Sequence, residues 1–201
     1  MTSRRFPITG WQAELYLYRM TESKKPAVTV REATSQDAGL IAELSRSTFY
    51  ETFASFNTKE NMDLFMNSQF TTEKLVAEVG APGNTFLLAW CEGEPVGYVR
   101  LCESENPPSL GDSSALEIVR IYATTSSIGK GVGSAMMDAC LRIAQERGKE
   151  VIWLGVWEHN PRAIAFYERW GFHKFDTHVF LLGTDPQTDW LMKKELSTTA
   201  S

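Results

Sequence analysis

Three glycines within five residues make one stretch of this sequence well suited to bind an anion. They lie in Gly129-Lys130-Gly131-Val132-Gly133-Ser134, directly before a run of apolar residues with helical spacing. Glycine lets the backbone approach a ligand, and the free N–H groups of a helix's first turn, with the helix dipole, favour negative charge. The turn therefore predicts an anion site, with pyrophosphate as the natural ligand and Lys130 as an added positive charge. The alternative is a flexible turn before an ordinary helix, since this motif is weak by itself.

The turn lies between elements that are typical of a parallel strand–helix–strand unit. Residues 115–123 are rich in Ile, Val and Leu, which predicts a buried strand. The helix that follows the turn is expected to end near Gly148. Residues 151–157 are almost continuously apolar, which predicts a central parallel strand covered on both faces. This order of elements implies a right-handed crossover.

A second, shorter helix is predicted at the carboxyl end of that central strand. Asn160 is a good N-cap residue, Pro161 suits the first helical position, and Gly171 is suited to follow the last turn. Open α/β sheets usually bind ligands beyond the carboxyl ends of their strands. Both predicted helices therefore begin where a ligand is expected.

Two motifs in this order resemble those of the GCN5-related N-acetyltransferases (GNAT), which use acetyl-CoA. One is the glycine turn, and the other is Asn160-x-x-Ala163-x-x-Phe166-Tyr167-x-x-x-Gly171-Phe172. The resemblance covers roughly residues 28–196. It implies an α/β (α+β) fold with a mixed, mostly antiparallel sheet of about seven strands, flanked by helices, in which a central parallel pair splays apart. Ile128 departs from the family, whose members usually carry Gln or Arg there, so we expect weakened cofactor affinity.

The resemblance implies that acetyl-CoA binds along the glycine turn and between the splayed strands. Backbone amides of the turn would hold the diphosphate, and unpaired strand groups would bond the pantetheine arm like an added strand. No metal and no covalent enzyme intermediate is expected. The implied cofactor-binding residues are Ile121, Tyr122, Ala123, Gly129, Lys130, Gly131, Val132, Gly133, Ser134, Asn160, Ala163 and Tyr167.

Two side chains fit the acid and the base that acyl transfer to an amine requires. Tyr167 lies two turns into the second helix, and a phenol with an ordinary pKa near ~10 can donate its proton to a departing thiolate. The alternative for Tyr167 is a core aromatic beside Phe166. Glu117 lies 11 residues before Ile128, about the offset at which histone-acetylating relatives place a catalytic glutamate. We expect Glu117 to act as a base through a water relay; the alternative is an ion pair with Arg120.

A closer likeness, to the Pai-type polyamine acetyltransferases, suggests spermidine or spermine as the acceptor. It rests on three stretches, which are residues 116–122, 152–158 and 187–189. The acceptor-binding candidates are Tyr50, Glu51, Glu158 and Asp189. Two alternatives remain open: acetylation of a protein N-terminus or lysine, and a non-enzymatic acyl-CoA-binding regulator that has lost turnover.

Composition and length indicate a single domain, whose mildly acidic balance suits a cationic substrate but is common among proteins of every function. The 201 residues can hold one sizeable core, and the net charge of -5 disfavours nucleic acid as a partner. No apolar run is long enough for a signal peptide or a membrane helix, and the 3 cysteines lack metal-like spacing, so we expect a cytoplasmic protein with reduced thiols. The oligomeric state is left open, with a homodimer among the options.

The domain is expected to span residues 27–196, between an N-terminal extension (1–26) and a short tail (197–201). Met20 is an alternative native start. Within the domain, a helix is predicted from about Thr34 through Arg46, followed by an irregular aromatic stretch, and the last strand is predicted over 190–196.

Overall fold

The computed structural model describes residues 27–197, which form seven strands and five helices. The expectations for residues 1–26 with Met20, and for 198–201, lie outside the described residues. The strands are β1 (Val28–Glu32), β2 (Asn84–Cys91), β3 (Glu94–Cys102), β4 (Ala115–Ala123), β5 (Val151–Trp157), β6 (His173–Leu182) and β7 (Asp185–Glu195). The helices are α1 (Ala38–Phe53), α2 (Lys59–Ser68), α3 (Thr72–Glu78), α4 (Val132–Glu146) and α5 (Pro161–Arg169).

The seven strands make one sheet in the order β1-β2-β3-β4-β5-β7-β6. The neighbours β4 and β5 are parallel, and every other pair in the sheet is antiparallel. The mixed, mostly antiparallel sheet with a central parallel pair is therefore confirmed. The crossover between β4 and β5 is α4, as the strand–helix–strand pattern predicts.

Helices cover both faces of the sheet, and each face has its own apolar core. On one face, α4 and α5 pack over the middle strands through side chains such as Met136, Cys140 and Tyr167. On the other face, α1 and α2 pack through Phe49 and Phe65. The sheet is thus buried on both sides at its centre, which explains why β5 is almost continuously apolar.

A bulge in β4 sets which of its side chains face each core. Arg100 of β3 lies opposite Arg120, but its neighbour Leu101 lies opposite Ile118, so Val119 has no partner in β3. An extra residue of this kind shifts the alternation of side chains along a strand. Ile118 and Ile121, which a regular strand would point to opposite faces, therefore both pack in the α4–α5 core.

Two predicted boundaries are wrong. The helix predicted to end at Arg46 continues to Phe53, because Phe49 and Phe53 lie on one helical face and pack against each other, with ring centroids 4.7 Å apart, rather than forming an irregular stretch. Strand β7 begins at Asp185, five residues earlier than predicted, because the turn after β6 takes up only Gly183 and Thr184.

Candidate active site

The parallel strands β4 and β5 separate halfway along their length. Their pairing starts at Ala115 with Val151 and stops at Ile118 with Leu154. Beyond that point β4 continues to pair with β3, and β5 with β7, as far as Ala123 and Trp157. The facing edges of the two strands are therefore open over their carboxyl halves, where their backbone N–H and C=O groups are free to bind an extended ligand.

The predicted cofactor residues Ile121, Tyr122 and Ala123 all lie on β4 along this opening. We call the opening, with edges Val119–Ala123 and Gly155–Trp157, the strand gap. The two edges stay apart because each strand is paired with a different neighbour, β4 with β3 and β5 with β7. A ligand with amide groups would restore hydrogen bonds that the sheet gives up there.

The glycine turn lies just beyond the β4 side of the strand gap and leads into α4. Gly129 and Gly131 have φ angles of 84° and 88°, a left-handed conformation that favours glycine. The first i to i−4 hydrogen bond of the helix runs from the Ala135 N–H to the Gly131 C=O (3.0 Å). The N–H groups of the residues from Gly131 to Ser134 therefore precede the helical ladder and are available to an anion.

Within the glycine turn, the contributions of the remaining predicted residues differ. The Lys130 N–H donates to the Ser127 C=O (3.1 Å), so only the exposed side chain of Lys130 can meet a ligand. Val132 is buried in the core and offers its backbone alone. Ile128, at the start of the turn, is 42% exposed, which leaves an apolar side chain where the family usually has a polar one.

A small hydrogen-bonded unit before the turn holds it in place. The Thr124 N–H donates to the Val96 C=O (2.8 Å), and the buried Ser127 hydroxyl donates to the Thr124 C=O (2.8 Å). Sequence reasoning missed this pair, because two hydroxyl residues before a glycine turn are common. The unit fixes the turn relative to β3 and so relative to the strand gap.

Helix α5 begins on the β5 side of the strand gap, as predicted. The Asn160 side-chain oxygen accepts a hydrogen bond from the Ala163 N–H (3.1 Å), so Asn160 is the N-cap of this helix. Its amide nitrogen remains available to a ligand. Helix α5 packs closely on α4, since a Cβ at Gly133 would lie 3.6 Å from the ring of Phe166.

Tyr167 is buried in the α4–α5 core next to the strand gap. Its ring contacts Phe166 and Phe172, with centroids 5.5 Å and 6.0 Å away. Burial raises the pKa of Tyr167 well above its ordinary value, and the nearby Cys140 thiol adds to the rise. The alternative of a core aromatic and the predicted role as an acid are thus compatible, since a phenol with a raised pKa keeps its proton at neutral pH.

The Tyr122 side chain lies on the α1 side of the sheet, where its ring packs against Phe49 and Phe53 with centroids 6.5 Å away from each. Burial raises the pKa of Tyr122 well above its usual range, and Tyr98, Tyr167 and Asp189 add to the rise. The Tyr98 ring stacks on Tyr122, with centroids 6.0 Å apart. Tyr122 was predicted only as a backbone contact, and nothing in the local pattern indicated this position of its ring.

Glu117 lies in the closed part of the strand pair, opposite Trp153 of β5. Its carboxylate accepts a hydrogen bond from the Ser104 hydroxyl (2.6 Å). The alternative in which Glu117 pairs with Arg120 is wrong, because Arg120 binds the Glu78 carboxylate through two nitrogens, at 2.5 Å and 3.0 Å. Glu78 lies on α3, 42 residues away in sequence, so no local pattern could reveal this pair.

On the α1 side of the sheet, the strand gap is bordered by aromatic side chains. Trp157, the last residue of β5, contacts Phe53 and Phe56 edge to face, with centroids 6.1 Å and 5.4 Å away. Phe56 is 65% exposed, an unusual state for a large apolar side chain. Sequence reasoning proposed an acceptor-binding region here but did not bring Trp157 into it.

The predicted acceptor residues come from three parts of the chain, which are α1, the segment after β5, and β7. Tyr50 is 47% exposed on α1, and Glu51 on the same helix accepts a hydrogen bond from the Thr125 hydroxyl (2.8 Å), beside the glycine turn. Glu158 follows β5 directly, and Asp189 lies on β7 opposite Trp157. The Glu51 carboxylate lies beside the glycine turn, and the Asp189 carboxylate lies beside Gly155 on the β5 edge of the strand gap.

Taken together, these features fit a cofactor that carries a diphosphate and an extended amide-containing arm. The free amides from Gly131 to Ser134 suit the diphosphate, and the open edges of β4 and β5 suit the arm.

Among residues 27–197, no three His, Cys, Asp or Glu side chains are close enough to hold a metal ion. In the same part of the chain, no helix is long and apolar enough to cross a membrane.

Comparison with known proteins decides the family. Residues 43–172 match the model of the acetyltransferase (GNAT) family. The chain belongs to this family. It is 37% identical over 169 residues to an uncharacterised N-acetyltransferase of Lactobacillus delbrueckii subsp. lactis, a match that covers 84% of this chain and 98% of that protein. An uncharacterised N-acetyltransferase of Mycobacterium tuberculosis is 28% identical over 160 residues, 80% of this chain and 98% of its own length.

Solved structures agree on the GNAT fold. The PaiA N-acetyltransferase from Thermoplasma acidophilum, in complex with coenzyme A, superposes with a TM-score of 0.69 at 21% identity, over 85% of this chain and 99% of that one. A putative acetyltransferase of Salmonella typhimurium, with its cofactor acetyl-CoA, gives 0.66 at 19% identity, over 87% and 97%. The prediction of a GNAT-type acetyltransferase is therefore confirmed, with acetyl-CoA as the acyl donor that the family uses.

Proposed function

We propose that this protein transfers the acetyl group of acetyl-CoA to a primary amine of a small cationic acceptor. A polyamine such as spermidine or spermine is the first choice. The observation that carries this proposal is the strand gap, which has free amides for a cofactor on its glycine-turn side and carboxylates with aromatic rings on its α1 side. A cation with an aliphatic chain matches that second lining in charge and in polarity.

The proposed cofactor-binding groups follow the strand gap from end to end. Backbone amides of the glycine turn hold the diphosphate, with the Lys130 side chain adding charge. The backbone of Ile121, Tyr122 and Ala123 bonds the pantetheine arm, and the Asn160 amide nitrogen holds it from the start of α5. Acetyl-CoA supplies a thioester whose carbonyl carbon is the electrophile, and a backbone N–H near Ile121 polarises that carbonyl.

The proposed chemistry is direct attack in a ternary complex. The acceptor nitrogen must lose a proton before it can attack, and Glu117 takes that proton through a water molecule. The Tyr167 hydroxyl donates a proton to the departing sulphur, which its raised pKa allows because the hydroxyl stays protonated at neutral pH. Positioning of the two substrates supplies most of the remaining rate.

Acetylation of a protein N-terminus or lysine is the rival within this family. This activity would use the same cofactor site as polyamine acetylation. The residues on the acceptor side of the strand gap must therefore distinguish the two activities. The carboxylates of Glu51, Glu158 and Asp189 favour an acceptor with more than one positive charge.

The cytoplasmic location and the homodimer remain predictions from the sequence.

A thiol-release assay tests the proposal. We expect release of coenzyme A from acetyl-CoA to depend on added spermidine or spermine, and to be much slower with a peptide that presents a lysine. In the same assay, Glu117→Gln should move the acid limb of the pH–rate profile, and an identical profile would leave Glu117 with a structural role. Binding of acetyl-CoA without release for any amine would instead identify a non-enzymatic regulator.

A further inference from the structure

A small space lies on the β5 edge of the strand gap, where residue 155 is a glycine and has no side chain. Gly155 is the first residue of β5 beyond Leu154, the last one that pairs with β4. A Cβ at this position would lie 3.6 Å from the Asp189 carboxylate oxygen Oδ2 and 3.7 Å from the His178 ring atom Cε1. The space over Gly155 is thus walled by a carboxylate and an imidazole that come from two different strands.

Burial makes the charged form of the Asp189 carboxyl group unfavourable at this position. Asp189 is partly buried, and this burial raises the pKa of its carboxyl group; the Glu158 carboxylate adds to the rise and His178 opposes it. No hydrogen-bond donor among residues 27–197 contributes to the state of this group. A desolvated carboxylate without a donor is unfavourable, and a bound cation that donates hydrogen bonds would relieve it.

The position of this carboxylate relative to the proposed chemistry is the second observation. Asp189 lies opposite Trp157 in the register of β5 and β7, and its Oδ2 lies beside Gly155, the first β5 residue on the open edge of the strand gap. The carboxylate is therefore next to the part of the strand gap that is proposed to hold the arm with the acetyl group. His178 on β6 lies opposite Asp189 in the sheet register, and the charge of Glu158, after β5, also acts on the Asp189 carboxyl group.

We propose that the space over Gly155 receives the reacting amino group of the acceptor as an ammonium ion, and that Asp189 binds and orients this ion before it loses the proton and attacks. The assignment rests on the proposed function and makes Asp189 the specificity-determining residue for the reacting end of the amine. Glu117 keeps its proposed role as proton acceptor through water. Sequence reasoning named Asp189 only as one of four acceptor-binding candidates, because nothing in the sequence brings residue 189 beside residue 155.

Steady-state kinetics with two amines tests the assignment. Spermidine has distant ammonium groups and n-butylamine has none, so a residue that binds the reacting end must affect both. We expect Asp189→Asn to lower kcat/KM for each amine by about 10- to 100-fold, the loss typical of a charge-assisted hydrogen bond. The KM for acetyl-CoA should stay unchanged. Asp185→Asn, the same change at an exposed position of the same strand, is the matched control and should behave as the wild-type protein.

A second variant fills the space without removing the charge. Alanine at position 155 meets its neighbours only at ordinary contact distances, so Gly155→Ala should fold. It should lower kcat/KM for both amines by about tenfold, since one misplaced methyl group in a fitted site costs that much. A structural role for Asp189 would predict a lower thermal midpoint for Asp189→Asn, whereas removal of a desolvated charge should leave the midpoint equal or raise it.

Several results would overturn the assignment. They are wild-type kcat/KM in Asp189→Asn, a loss confined to spermidine, or an equal loss of acetyl-CoA affinity. Failure of the proposed function itself is distinguishable, because it appears in the wild-type protein as an absence of release with every amine, and it would remove this assignment as well.

Discussion

At the scale of single residues, the site depends on side chains whose proton state is set by burial. Burial raises the pKa of both Tyr167 and Asp189, and so favours the neutral form of each. For the phenol this keeps a proton available for the departing sulphur. For the carboxylate it stores an unfavourable charge that an ammonium ion can satisfy. The two effects suit the two ends of an acetyl transfer to an amine.

The role of Tyr167 can be tested by removal of one oxygen atom. We expect Tyr167→Phe to lower kcat by about 10²-fold, the typical contribution of a positioned acid, with little change in acetyl-CoA affinity. Because its pKa is raised, this hydroxyl should not cause a loss of activity on the alkaline side until well above the ordinary range of a phenol. Steady-state kinetics over a pH series, with calorimetry for affinity, measures both.

Tyr98→Phe is the matched control for this change. Tyr98 is also buried, and its ring stacks on Tyr122 with centroids 6.0 Å apart, but it is not part of the proposed chemistry. Its variant should keep the wild-type kcat. Equal activity of both variants would leave Tyr167 as a core aromatic.

At the scale of elements, the sequence is informative where the pattern is local and uninformative where it is not. The glycine turn, α5 and its Asn160 cap could all be predicted, because each depends on neighbours within a few residues. The bulge at Val119 and the ion pair between Glu78 and Arg120 could not, because both are set by contacts across the sheet. The same reason applies to the meeting of Asp189, His178 and Gly155.

The glycine turn makes an element-level prediction. Gly131 has a φ of 88° and open space around its Cα, so Gly131→Ala would lose stability mainly through backbone conformation, about 1–2 kcal/mol. A shift of the backbone away from this conformation would also turn the amides from Gly131 to Ser134 away from the diphosphate. We therefore expect coenzyme A affinity to fall by about tenfold or more, measured by calorimetry.

Gly148, at the other end of α4, provides the control. It has a φ of 63° and open space around it, so Gly148→Ala carries a similar backbone cost. Its thermal midpoint should fall by a comparable amount, while coenzyme A affinity stays at the wild-type value. If both variants lost affinity equally, the effect of Gly131→Ala would be one of stability alone.

At the scale of the whole molecule, the sheet separates two tasks. One face, covered by α4 and α5, carries the glycine turn and Tyr167; the other, covered by α1 to α3, carries the aromatic and acidic border. The strand gap is an opening in the sheet that connects the two faces. In the proposed function, different sets of elements would bind the acetyl donor and the cationic acceptor, which would meet at the strand gap.

The central claim is that backbone amides of the glycine turn grip a diphosphate whose attached arm lies in the strand gap. Isothermal titration of the wild-type protein with coenzyme A, and in parallel with pantetheine, which lacks the phosphates, tests it most directly. We predict saturable binding of coenzyme A at one site and binding of pantetheine weaker by about tenfold or more. No heat of binding with coenzyme A, or equal affinity for the two compounds, would contradict the account.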